Sequence, residues 1–125
     1  MSKHLRASVM LASIAFAFTA LAQGKYGAGE DSVACVQNLS MYQEFFNQKG
    51  YHDAYAPWAS ALRLCPGSSK KMYVDGSLML KTFIGEEKDA TRKAALVDSL
   101  YLLHDLRIAN FGEQAFVTGR KGQDM

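Results

Sequence analysis

Two apolar stripes with helical spacing, separated only by the Gln48-Lys49-Gly50 segment, constrain this 125-residue chain more than any other feature. In the first, Cys35, Leu39, Tyr42 and Phe46 recur at steps of four, three and four, which places them on one helical face. In the second, Tyr51, Ala54, Tyr55, Trp58, Ala61, Leu62 and Cys65 repeat the spacing, and Pro66-Gly67 stops it. Helices joined by so short a turn must be antiparallel neighbours. Ser32 is a fair N-cap for the first helix.

Ser68 or Ser69 can cap a third helix, in which Tyr73, Gly76, Leu80 and Phe83 share a face and Gly85 supplies a stop. A glycine inside a helix costs about 1 kcal/mol relative to alanine, so Gly76 predicts a close approach by another backbone. The polar run Glu86-Glu87-Lys88-Asp89 reads as a solvated link to a long helix over residues 90–111, which Gly112 ends. Its apolar positions are Ala94, Val97, Leu100, Tyr101, Leu103, Ile108 and Phe111. Residues 113–125 begin like a further amphipathic helix with Ala115, Phe116 and Val117. With no period-two pattern anywhere, the fold class expected is all-α, with helices in antiparallel pairs.

The N-terminus has a different character. Lys3, His4 and Arg6 precede an apolar run to Leu21, and Ala20-Leu21-Ala22 has the small-residue form that a signal peptidase requires. Residues 1–22 thus read as a secretory signal peptide cleaved after Ala22, and the expected location is periplasmic or secreted. The other reading is an uncleaved anchor, although the run is short for a spanning helix. After cleavage no stable membrane insertion is expected. Residues 23–31, with Gly24, Gly27 and Gly29, read as a flexible leader. Removing Lys3 and Arg6 leaves twelve basic against twelve acidic side chains, a balance that offers nucleic acid no general attraction.

The segment Lys49-Gly50-Tyr51-His52-Asp53-Ala54, then Trp58, then Ala61-Leu62-Arg63-Leu64-Cys65-Pro66 resembles the second half of a tetratricopeptide repeat. Tyr42 and Phe45 look like the aromatic face of that repeat's first helix, although Tyr42 stands where the family has a small residue. The likeness covers about 34 residues, Cys35 to Ser68, and extends loosely into the next pair. Together with the export signal, the chain looks like the N-terminal part of exported tetratricopeptide-repeat proteins of Gram-negative bacteria. The resemblance implies a TPR-like hairpin over residues 32–67, a divergent one over 68–112, and a short right-handed α-solenoid built from them. Ala54 and Ala61 would let the paired helices approach, Tyr51 and Trp58 would fill the space between hairpins, Leu62 would take part in the repeat packing, and Pro66 would end the second helix. Pro57 departs from the pattern and predicts a kink or a late helix start. Solenoids need about three repeats. The chain is therefore expected to be a piece of a longer array, or else to self-associate through its C-terminal end.

The hairpin brings Cys35 and Cys65 to one end, so a disulfide is expected in an oxidising compartment, with two separate buried thiols as the alternative. His52, read as exposed at a helix start, and His104, on the rim of the long helix, lack zinc-ligand spacing. No nucleophile elbow, phosphate loop or dinucleotide fingerprint occurs, so neither catalytic residues nor a metal or cofactor is expected. The expected function is a non-catalytic scaffold for an unknown protein or peptide. A helical binder of a small apolar ligand is the alternative, suggested by the many aromatics. The first helix of each pair would present the binding face, with Asn38, Gln43, Asn47, Lys70, Lys71 and Lys81 as candidates.

Overall fold

The computed structural model describes residues 26–112. The export signal with its cleavage point after Ala22, and the segment carrying Ala115, Phe116 and Val117, lie outside the described residues. Among those described, the chain forms four α-helices and no strand: α1 (Glu30–Asn47), α2 (Tyr51–Leu64), α3 (Lys70–Glu86) and α4 (Ala90–Phe111).

The helices pack as two antiparallel pairs. Cys35, near the start of α1, is disulfide-bonded to Cys65, the residue that closes α2, with Cα atoms 6.0 Å apart. In the second pair, Tyr73 near the start of α3 meets the Phe111 ring at the end of α4, with centroids 5.7 Å apart. The predicted stripes are the core: Cys35, Tyr42, Ala54 and Ala61 are fully enclosed between α1 and α2, and Met72, Met79, Leu80, Leu100 and Leu103 are buried in the second pair. Ala54 and Ala61 thus do what small residues permit, a close helix-helix approach.

Several local expectations are corrected. Helix α1 begins two residues before Ser32, at Glu30, behind Gly29 at φ 59°, and takes the end of the expected leader with it. Glu30 and Asp31 in its first turn complement the positive end of the helix dipole. Pro57 neither delays nor divides α2, which is continuous from Tyr51. Its ring is buried, and the one hydrogen bond it removes would have gone to the Asp53 carbonyl. Gly85 is not a stop, because α3 continues to Glu86. Ser69 occupies the N-cap of α3 without a side-chain cap bond, and Ser68 is buried beside it. The link is solvated, with Glu86, Lys88 and Asp89 exposed, and it also caps α4, the Asp89 carboxylate accepting from the Arg92 N–H at 2.9 Å. Ala94 is exposed, and His104, expected on the rim, is buried at 6% exposure. Gly112 ends α4 at φ 69°, as the sequence predicts.

Gly76 is a site of close approach, but the neighbour is a ring rather than a backbone. A Cβ there would lie 2.1 Å from Trp58 Cζ2, so the indole of α2 lies directly on the glycine of α3. Trp58 Nε1 donates to the Met72 carbonyl at 2.7 Å. Tyr51, expected between hairpins, instead packs on Phe46 at 5.1 Å across the α1–α2 turn.

Closing a loop of roughly 31 residues lowers unfolded-state entropy by the equivalent of about 3.7 kcal/mol. For a domain of this size that corresponds to about 15 °C or more in Tm. Cys35→Ala/Cys65→Ala is therefore expected to melt that much lower than the oxidised protein and to lose its response to reductant, as read by differential scanning fluorimetry. An unchanged melting point would show that the bond is not formed. Gly76→Ala sets about 1 kcal/mol of helix propensity against an overpacking cost of about 1–3 kcal/mol. Because the clash is with a buried ring, net destabilisation is expected in urea unfolding. A stabilised variant would refute the Trp58 contact.

Candidate binding surface

The candidate polar residues distribute unequally once the helices are in place. On α1, Asn38 and Gln43 flank the buried stripe on opposite sides and are half-buried, and Asn38 Nδ2 donates to the Ala34 carbonyl at 2.7 Å. Asn47 is exposed. On α3, Lys70 reaches over the Phe111 ring at 5.7 Å, and Lys81 is exposed on the outward side. Lys71 turns toward α1: its ammonium binds the Asp75 carboxylate and lies 5.2 Å from the Phe46 ring centroid. The six residues do not gather at one point.

Lys71 belongs instead to a buried polar cluster. Asp75 is 5% exposed and accepts from the Tyr42 hydroxyl at 3.1 Å as well as from Lys71. This answers the main objection to burying a carboxylate, which is costly unless it is paired and hydrogen-bonded. Burial, reinforced by the Asp75 carboxylate, pushes the Tyr42 phenol well above its usual range. Burial also raises Tyr73, whose hydroxyl donates to the Pro66 carbonyl at 2.6 Å and accepts from Asn110 Nδ2. These phenols are structural donors enclosed by protein.

The sequence reading missed the apolar residues on the outward sides of α1 and α3. Val33 and Val36 on α1 are 58% and 46% exposed, and Val74 and Leu78 on α3 are 53% and 46% exposed. Their signal was available: each pair sits at helical spacing but outside the buried stripe.

Two concavities lie elsewhere. An open cleft of about 470 Å³ is lined by His52, Tyr55, Phe83, Glu86, Glu87 and Leu96 from α2, α3, the link and α4. His52 stacks on Phe83 at 4.7 Å, and its Nε2 lies 3.0 Å from Glu86 Oε2. The Asp89 N–H, together with Arg92, holds the Glu87 carboxyl below the ordinary carboxylate range. A smaller groove of about 180 Å³ runs between α2 and α4, with Trp58, Leu62, Leu102 and Leu106 among its walls. No group of three or more metal-ligating side chains occurs among the described residues. No helix there is long and apolar enough to cross a membrane.

Neither a family model, nor a curated protein, nor a solved structure matches this chain.

The buried phenols give a pH dependence with a definite sign. Tyr42 and Tyr73 stay neutral in the fold while their unfolded counterparts ionise near about pH 10. Their contribution is therefore complete below that value and is lost as pH rises through it toward the raised folded values. The urea midpoint is expected to fall above about pH 10, and less steeply in Tyr42→Phe. An identical alkaline profile for Tyr42→Phe would exclude the Tyr42–Asp75 contact as its source.

Proposed function

We propose that this chain is a non-catalytic scaffold, built of tetratricopeptide-type hairpins in a short right-handed solenoid, that holds a protein or peptide outside the cytoplasm. The observation that carries the reading is the half-exposed aliphatics that α1 and α3 each present: Val33 and Val36, and Val74 and Leu78. Apolar side chains exposed together mark interaction surfaces when they lie on one side of a fold. Burial of such surface releases about 25 cal/mol per Å², enough for a few contacts to matter in a weak complex. Asn47 and Lys81 would supply polar contacts at the margins, and a second copy of the chain remains among the protein partners such a face could take.

Two further features support the setting. A disulfide that closes the first hairpin belongs to oxidising compartments, in keeping with export and cleavage after Ala22. The order of the helices, α1 and α3 running one way with α2 and α4 opposed, is the order tetratricopeptide hairpins require. The reading as a binder of small apolar ligands ranks second, because the apolar groove of about 180 Å³ is smaller than the roughly 300–1,000 Å³ of ordinary ligand pockets.

Photo-crosslinking residues placed at Val36 and Leu78 and used in the source cells test the proposal. Discrete protein or peptide adducts are expected from these two positions, reduced by a second substitution, Val33→Asp or Val74→Asp, and absent from the exposed position Lys93 on α4. Equal adduct patterns from all three positions, or none, would count against a binding face on α1 and α3.

A further inference from the structure

The cleft where the start of α2 meets the end of α3 has a chemistry that the outward faces lack. Its floor is Phe83, 8% exposed, and its side wall is Tyr55, whose ring meets Phe83 edge-on with centroids 5.6 Å apart. Its rim carries the Glu86 and Glu87 carboxylates against the His52 imidazole, and among the described residues no lysine or arginine lines it. Arg92 reaches Glu87 from outside the lining, at 3.3 Å. Aromatic faces present negative quadrupole density, and carboxylates add net negative charge beside them. An anion is disfavoured by both, and a purely apolar group would draw the Glu86 and Glu87 carboxylates, which His52 and Arg92 partner at the rim, further out of water with no added partner. The group that satisfies both surfaces is a cation with an apolar stem. His52 already demonstrates the arrangement within the fold, its ring stacked on Phe83 and its nitrogen on Glu86.

We infer that the cleft formed by Tyr55, Phe83, Glu86 and Glu87 binds an organic cation, an ammonium or guanidinium group carried on an apolar stem. A basic side chain of a bound peptide is the source that the scaffold reading supplies, and the assignment of that source rests on that reading. The volume, about 470 Å³, lies within the range of sites for small ligands and exceeds the needs of one side chain, which leaves room for the flanking backbone. The site lies in the body of the four-helix fold, so it is present whether or not the faces of α1 and α3 are occupied.

The test is an NMR titration of the oxidised protein with N-acetyl-arginine amide, N-acetyl-lysine amide and tetramethylammonium. N-acetyl-leucine amide and N-acetyl-glutamate amide serve as controls. The arginine and lysine compounds are expected to shift the signals of His52, Tyr55 and Phe83 saturably, with little response to the controls. Tyr55→Leu keeps the bulk of the wall and removes its π face, and is expected to weaken binding about two- to fivefold. Glu86→Gln is expected to weaken it by a similar factor of about two to five, with the effect shrinking at higher salt. Tetramethylammonium binding as tightly as the capped amino acids, with the same dependence on Tyr55 and Glu86, would support the cation site and assign it to a free cation. Equal binding of the leucine compound, no shift at these residues, or affinities indifferent to both substitutions would overturn the site. If the adducts at Val36 and Leu78 persisted in that event, the cleft alone would fall and the scaffold reading would stand.

Discussion

The indole of Trp58 lying on Gly76 is the contact on which the arrangement of the two hairpins depends. Only residues 65–69 connect them, and a link of that length by itself permits many relative orientations. Gly76 solves two problems with one missing methyl group. It leaves the space that the ring occupies, and it uncovers the Met72 carbonyl, which in an α-helix already accepts the N–H of residue 76. A carbonyl has a second lone pair, and Trp58 Nε1 takes it at 2.7 Å. The buried indole therefore leaves no unpaired donor, and the distance between α2 and α3 is set by a flat ring rather than by interdigitating side chains.

The polar cluster complements this contact from the other side. Trp58 fixes α2 against α3, while Tyr42, Asp75 and Lys71 tie α1 to the same stretch of α3. Three helices are thereby held by interactions of different kinds, one apolar and directional, the other a buried carboxylate shared by an enclosed phenol and an exposed lysine. The fourth helix attaches chiefly through α3, where the Tyr73 hydroxyl sits between the Pro66 carbonyl and Asn110. A single phenol thus links the turn after α2 to the end of α4.

The helices were legible in the sequence because each buries one stripe, and a stripe leaves its period in the chain whatever it packs against. The extent of α4 was equally legible, since Gly112 can take the left-handed conformation that ends a helix. The nearness of Cys35 and Cys65 followed from the hairpin, and the expectation of a bond between them from the oxidising compartment that the export signal implied. What escaped has a common cause: single residues whose role is set by a partner distant in sequence. Asp75 belongs by type to a solvent face and becomes buried because Tyr42, 33 positions earlier, offers a hydroxyl. His104 is likewise enclosed by packing that its own helix does not announce. Gly76 signalled closeness, but a backbone and an aromatic ring ask for the same small residue, and the sequence does not distinguish them. At the surface, attention to polar side chains passed over Val33, Val36, Val74 and Leu78, whose spacing was visible but displaced from the core stripe.

The same geometry bears on recognition. Under the scaffold reading, a partner crossing α1 and α3 would meet the half-exposed aliphatics of each, Val33 and Val36 on one and Val74 and Leu78 on the other. The helices carrying those positions are already fixed by the disulfide, the indole and the Asp75 cluster, so ordering them costs nothing at the moment of binding. The cleft of Tyr55, Phe83, Glu86 and Glu87 is held just as firmly, its floor being a core residue and its link residue fixed by the cap of α4. If the proposed scaffold role holds, the exposed side chains in such a frame would select the partner, and they could change without disturbing the contacts that hold the helices.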